Sequence, residues 1–308
     1  MRLKSLLLLA AGASVALSAC ERVVSITVPD APRRLVVEAR LERGLDFVPG
    51  AQAVQLSTTA NYFSGDYPPP ATGATVRVTD DLNRSTMFME TIVPGTYEAP
   101  VSFTVGRTRK YTLSIDFEGQ RYTATDSTRQ VPRIANLEFD LPNGGRYAGT
   151  KGLRAGITYT DTPNVRNFYL WEQYVNNVRQ AGPDTAVRMR LIGNDLINDG
   201  LRVDGFQPFE GIDIPFGAAV LIRQIAISEH MYRYYFALND QLNSDGSPFA
   251  VPPASVRGNV QNTTTPSMPA LGYFSVSEVS ERRAIQQVAL PGPITPNDPT
   301  RSVSGPPR

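Results

Sequence analysis

From Arg34 onward the chain alternates apolar and polar residues with period two, a pattern that few folds accommodate. Leu35, Val37, Ala39 and Leu41 fall between Val36, Glu38 and Arg40; Val54, Leu56 and Thr58 follow; Ala74, Val76 and Val78 alternate with Thr75, Arg77 and Thr79. Successive side chains of a strand point to opposite faces, so each stretch predicts a half-buried strand. Asp80-Asp81-Leu82-Asn83 then reads as a hairpin turn, because Asp and Asn bond their own backbone and tolerate turn geometry. Ser85 to Thr91 is the predicted return strand, Gly95-Thr96-Tyr97 begins a short one, and Thr108 to Phe117 turns at Glu118-Gly119 into Gln120 to Asp126. Some seven strands within residues 34–130 predict an antiparallel, immunoglobulin-like sandwich.

Val131-Pro132 marks the predicted boundary, since Pro cannot donate to a sheet ladder. Beyond it a second β-rich domain, 131–290, is expected. Its strands are Ala135 to Leu141, Gly152 to Thr160, Arg166 to Val175, Thr185 to Ile192, Gly272 to Ser277 and Arg283 to Ala289, with Asp161-Thr162-Pro163-Asn164 as a turn and Asn194 to Phe216 as a long irregular excursion. Ala218 to Ile227 is an apolar run interrupted by Arg223 and Gln224, the pattern of a central strand. Ser228 follows as an N-cap, and Met231, Tyr234, Tyr235, Leu238 and Leu242 recur at helical spacing, which predicts one amphipathic helix near 228–243 packed on the second domain. Residues 291–308 are Pro-rich and predicted to be disordered.

The first twenty residues set the compartment. Arg2 and Lys4 precede the apolar run from Leu6, and Leu17-Ser18-Ala19-Cys20 ends it. This is a secretory signal, too short to span a bilayer. Leu-Ser-Ala-Cys has the form of a bacterial lipobox, and Cys20 is the sole cysteine, without a disulfide partner. Residues 1–19 are therefore expected to be removed and Cys20 to be acylated, with 20–33 as a spacer carrying Pro29 and Pro32. Each buried methylene contributes about 0.8 kcal/mol, so two or three acyl chains hold a domain on a membrane.

Charge narrows the partners. The chain has 30 Lys+Arg and 29 Asp+Glu, so losing Arg2 and Lys4 with the signal leaves 28 against 29. No basic block stands out, which argues against nucleic acid. His230 is the sole histidine, so no multi-histidine metal site and no ordinary triad is expected. The acidic stretch holds Asp195, Asp199, Asp204, Glu210 and Asp213, yet its spacing places Ile197 where a calcium loop needs oxygen. No catalytic residue, metal ligand or cofactor is assigned. The better contact candidates are aromatic: Tyr62, Phe63 and Tyr67 in a Pro-rich loop, and Trp171 and Tyr174 in a segment with Phe168 and Tyr169, although alternating strands place half of such residues in the core.

Taken together, the lipobox, Leu35-Val36-Val37-Glu38, Val54 to Thr59 with Tyr62-Phe63, Ala74 to Asp80, Gly95-Thr96-Tyr97, Tyr111 to Ile115, Tyr234-Tyr235 with Asn239 and Gln241, Pro248-Phe249 and Gly272-Tyr273-Phe274 resemble the Bacteroidetes lipoproteins grouped as domain of unknown function 4249. Thr263-Thr264-Thr265-Pro266 departs from that pattern, where a Gly-rich approach to Gly272 is expected. The resemblance implies an outer-membrane lipoprotein working beside TonB-dependent transporters, and it carries over no catalytic or ligating residue. Three functions are thereby set against one another: a non-catalytic binding or accessory lipoprotein, an envelope hydrolase using carboxylates of 194–213, and a purely structural surface protein.

Overall fold

The computed structural model describes residues 32–45, 49–60, 67–141, 152–180, 191–209, 211–242 and 256–288. The expected signal, most of the expected spacer, the tail 291–308 and nearly all of the strand expected over Thr185 to Ile192 lie outside them. In chain order the strands are β1 (Leu35–Gly44), β2 (Pro49–Thr58), β3 (Thr75–Asp80), β4 (Ser85–Glu90), β5 (Thr96–Glu98), β6 (Lys110–Phe117), β7 (Gln120–Ser127), β8 (Ile134–Asp140), β9 (Arg154–Thr160), β10 (Phe168–Val175), β11 (Val178–Gln180), β12 (Leu191–Asn194), β13 (Arg202–Phe206) and β14 (Ala219–Ala226). Helix α1 (Glu229–Leu242) follows, then β15 (Gln261–Asn262) and β16 (Leu271–Ile285). The protein is mainly β, as its alternation predicts.

That alternation sets the faces. Leu35, Val37, Ala39 and Leu41 of β1 are buried while Glu38 is exposed, and Tyr111, Leu113 and Ile115 of β6 are buried likewise. The β6–β7 hairpin closes through Glu118 and Gly119, both at positive φ, the pair of conformations that matches the twist of a two-residue hairpin. The turn after β3 is tied by Asp80, whose Oδ1 accepts from the amides of Leu82 and Arg84 at 3.0 and 2.9 Å. Within the first half, β4 pairs with β3 over Ser85–Phe88 and with β5 over Met89–Glu90. It thus passes from one layer to the other. The layer with β1, β2 and β5 and the layer with β3, β6 and β7 enclose one core that includes Val37, Val54, Val76, Phe88, Leu113 and Phe274.

Three expectations need correction. First, the sandwich is not completed within residues 34–130: β1 to β7 pair antiparallel with one another as expected, but β1 also pairs in parallel with β16 from Val36↔Leu271 to Gly44↔Val279. Second, Gly272 to Ser277 and Arg283 to Ala289 are not two strands. Gly272 to Ser277 and Arg283 to Ile285 belong to one 15-residue strand, because the polar residues that interrupt the pattern find partners inside the protein; Gln286 to Val288 lie beyond its end and Ala289 outside the described residues. Glu278 takes Arg43 and Arg107 at 3.1 and 3.2 Å, and the Ser280 hydroxyl accepts from the Ile134 amide at 2.8 Å. Third, Asn194 to Phe216 is not a surface excursion throughout. β13 pairs with β9, and Asp195, Gln207, Phe209 and Ile214 are buried.

The boundary expected at Val131-Pro132 falls between two cores but not between two sheets. The second core joins Tyr169, Trp171, Val220 and Ile222 of the large sheet to Leu137, Ile157 and Tyr159 of the three-stranded sheet β13-β9-β8. The first part of β16 belongs to the first core, and its last part pairs antiparallel with β14 from Val279 to Ile285. The large sheet runs β11-β10-β14-β16-β1-β2-β5-β4-β3-β6-β7-β15, with β12 on the outer edge of β10. Helix α1 starts as the sequence indicates: the Met231 amide donates to Ser228 Oγ at 3.0 Å, and Met231 packs with Phe168, Leu170, Ile225 and Tyr273 on the sheet face opposite the second core.

Along the stretch of β16 that lacks a strand on its second edge, side chains replace the ladder. Asn259 accepts from the Phe274 amide at 2.9 Å and donates to the Phe274 carbonyl at 2.8 Å, while Asp126 Oδ2 accepts from Val276 N at 2.9 Å. On the other edge, Gly272 sits at φ +88°, where a Cβ would lie 2.0 Å from the Val37 carbonyl oxygen. Gly272→Ala is expected to cost about 1–3 kcal/mol for the backbone conformation alone, with the clash added. Urea unfolding measures it, and an unchanged midpoint would contradict the parallel β1–β16 register.

Candidate functional site

The aromatic candidates do not form one patch. Tyr62 and Phe63 lie outside the described residues, as does Cys20. Tyr67 is 93% exposed and is followed by Pro68, Pro69 and Pro70. Trp171 is inside the second core, where its ring contacts Tyr169 and Phe206 and its indole N–H donates to Gln224 Oε1 at 3.0 Å. A buried ring with its one donor spent is a packing residue. Tyr174, three positions on, points to the opposite face of β10. It is half-buried, lies 3.4 Å from Glu172 Oε2 and lines a hollow of about 220 Å³ with Asn177, Leu221 and Arg283.

The acidic candidates separate in the same way. Asp204 pairs with Arg202 on the surface, Asp213 pairs with Arg154, and Glu210 lies outside the described residues. Asp195 and Asp199 instead meet Asp161, which comes from the turn after β9, with carboxylate oxygens of all three within 4.8 Å of one another. Such a group offers oxygen ligands of the kind a hard cation takes. Its carboxylates are also acceptors for the surrounding loops. Tyr169 OH donates to Asp161 Oδ1, and Gly200 N donates to Asp161 Oδ2 at 3.2 Å; Asn167 N donates to Asp195 Oδ2 and Asn164 N to Asp199 Oδ1, each at 2.7 Å. The cluster therefore pins the 161–167 turn to the 195–200 loop. Burial, reinforced by the Asp161 and Asp195 carboxylates, pushes the Tyr159 hydroxyl up to about 12. Burial and the hydrogen bond to Asp161 push Tyr169 up as well, so both phenols are neutral near pH 7.

His230 is exposed on the first turn of α1. Its Nδ1 lies 3.2 Å from the Tyr273 hydroxyl, which is also 3.0 Å from Ser228 Oγ. Because Ser228 Oγ caps the helix, this chain of contacts seats α1 on β16.

The most highly organised polar group is one that sequence reasoning missed. Arg223, taken from the sequence only as an interruption in an apolar run, is 12% exposed and binds three carboxylates. Its Nη2 lies 2.5 Å from Glu42, its Nη1 2.7 Å from Glu172, and its Nε 2.7 Å from Glu281. Arg40 adds contacts to Glu42 at 2.5 Å and Glu172 at 2.9 Å, and Arg179 lies 3.4 Å from Glu172. Glu172, Arg223 and Glu281 stand directly opposite one another on β10, β14 and β16, while β1 supplies Arg40 and Glu42. The only local signal was a charge in the middle of a strand otherwise apolar.

Burial opposes the charge on Glu172, but the Arg40, Arg223 and Arg179 guanidiniums outweigh it and hold the carboxyl at about 2. Arg223 is likewise held charged by Glu42 and Glu172 against the cost of burial. Removing one partner of such a set strands the others out of water, which costs about 3–5 kcal/mol. Arg223→Met is expected to fall in that range by chemical denaturation. Glu172 supplies a pH signature with a definite sign: its folded pKa lies below the ordinary 4.5, so its contribution is full above that value and disappears as pH falls through about 2. A Glu172→Gln variant should therefore lose part of the acid dependence of stability between pH 4.5 and 2. Identical pH–stability curves for the two proteins would contradict the network.

Fold and site together define a mainly β protein with two cores strung on one long strand, with a buried ion-pair network across β10, β14, β16 and β1. A search of curated proteins finds no match. The family model described as domain of unknown function (DUF4249) matches residues 21–283, and the chain belongs to that family.

Proposed function

We propose that this protein is a non-catalytic lipoprotein of the bacterial outer membrane, anchored through acyl chains on Cys20 and acting as a binding or accessory component of a transporter-type envelope complex. The observation that carries the proposal is the placing of the sole cysteine: Leu17-Ser18-Ala19-Cys20 closes an apolar leader, and the family domain begins at residue 21, directly after it. A leader outside the domain, ending on an acylatable thiol, is the arrangement of a tethered soluble module. Among the described residues no helix is long and apolar enough to cross a membrane.

The distribution of charge supports the non-catalytic part. Carboxylates expected to serve a hydrolase are divided among Asp204–Arg202, Asp213–Arg154 and the loop-pinning cluster, each already paired or hydrogen-bonded. General acid–base work needs a carboxyl poised near the operating pH, whereas Glu172 is held at about 2, and Asp126, which burial raises, has its oxygens on the Val276 amide and Arg129.

Labelled palmitate should enter the wild-type chain and fail to enter Cys20→Ala; equal labelling of both refutes the anchor. Purification of the acylated protein in mild detergent should recover an outer-membrane transporter with it. Recovery of the protein alone across all detergents refutes the accessory role while leaving the anchor standing.

A further inference from the structure

At one end of the first sandwich, apolar side chains project into solvent on braced supports. Ile92 and Val93, in the turn between β4 and β5, are 100% and 57% exposed, and Tyr67 is 93% exposed. The turn is closed by Thr91 N to the Thr96 carbonyl at 2.8 Å and Thr96 N to the Val93 carbonyl at 3.1 Å. Below it, the Glu90 carboxylate accepts from the amides of Gly95 and Gly73 at 2.9 and 2.8 Å. Tyr67 stands at the head of three prolines, and the Pro69 carbonyl accepts from Thr58 N at 2.8 Å. The two supports touch, since the position of a Cβ on Gly95 is 3.0 Å from Pro70 Cβ.

The chain enters the domain at this same end. Leu35 pairs with Thr58, Arg34 N donates to Thr59 Oγ1 at 3.1 Å, and Arg33 reaches Glu118 at the tip of the β6–β7 hairpin at 2.5 Å. Leu56 N, two residues before Thr58, bonds the Gly95 carbonyl at 2.7 Å. Entry point, Pro-rich strap and apolar turn therefore all border the last residues of β2. The Asp80–Arg84 turn lies at the opposite end, where Leu41 to Gly44 leave β1 toward the second core.

We propose that this end is a lipid-docking face, on which Ile92, Val93 and Tyr67 enter the interface of the bilayer that carries the acyl chains. The inference rests on the acylation of Cys20 proposed above. Between that cysteine and β1 lie the 14 residues Glu21–Arg34, which span at most about 50 Å fully extended. A tether that joins at this end keeps the face within reach of lipid and at high effective concentration, so a contact too weak to bind a free protein becomes populated. The chemistry suits the site: aliphatic tips partition into the acyl boundary, and a Tyr keeps its ring at headgroup level. Among the described residues, Arg33 pairs with Glu118 and Asp116 with Arg121, and the Glu90 carboxylate below the turn is held by the Gly73 and Gly95 amides. With this end on lipid, β16 runs outward over about 45–50 Å and carries the second core away from the membrane.

The test uses the acylated chain with Ile92→Cys or Leu82→Cys, the second in the turn at the opposite end and 53% exposed. Each is labelled with an environment-sensitive thiol fluorophore and reconstituted in phosphatidylethanolamine/phosphatidylglycerol vesicles; the thioether-bonded Cys20 takes no label. Emission from position 92 should shift to the blue and lose most of its intensity to spin-labelled acyl chains, while position 82 stays at its aqueous wavelength and unquenched. Equal behaviour at the two positions overturns the proposal. A blue shift at 92 in native membrane extract but not in pure lipid also overturns it, assigning the turn to a protein partner. Flotation separates the two possible failures: a chain that floats with position 92 in water keeps its anchor and lacks the docking face, and a chain that does not float lacks both.

Discussion

Arg223 is the charge on which the architecture turns. Taking a guanidinium out of water is costly, and the cost is met only when several carboxylates approach with good geometry. Here they come from three further strands: Glu172 on β10, Glu281 on β16 and Glu42 on β1. The strands must adopt one register for this to happen, because a slip of a single residue turns every side chain to the other face. The network thus ties the order β10-β14-β16-β1 to a single electrostatic solution. Hydrophobic burial drives the collapse, and the ion pairs select which neighbour each strand accepts.

The long strand β16 transmits that choice through both halves. Its first residues complete the first core beside β1, and its last residues pair with β14 over the second. Where it passes between the cores it carries Glu278 and Ser280, met by Arg43, Arg107 and the Ile134 amide. Nearby, Asp126 accepts from Val276 N and pairs with Arg129 at 2.9 Å, although burial raises its pKa from the ordinary value. A polar seam of this kind is stable only because its partners are present. It joins the two halves through paired side chains on one continuous strand rather than through a linker.

Polar groups in this protein are therefore chiefly structural. Asp161, Asp195 and Asp199 pin loops, Ser228 caps the helix, and Trp171 spends its indole N–H on Gln224. Among the described residues, exposed apolar side chains such as Tyr67, Ile92, Val93 and Val101 lie instead in turns and loops of the first half.

Local pattern was enough to read the strands of the first half, the Asp80 and Glu118-Gly119 turns, and the Ser228 cap with its helix, because each depends on neighbours within a few residues. Long-range placement was not legible. Trp171 and Tyr174 sit in one aromatic segment, yet their faces are assigned by what packs above and below β10. Glu278 and Ser280 seemed to end a strand, since only distant arginines and an amide make their burial affordable. The parallel pairing of β1 with β16 and the convergence of Glu42, Glu172, Arg223 and Glu281 span most of the chain. Periodicity along a chain determines which side of a strand is apolar, whereas the neighbour on each edge depends on partners remote in sequence, whose attraction exists only once the sheet has formed.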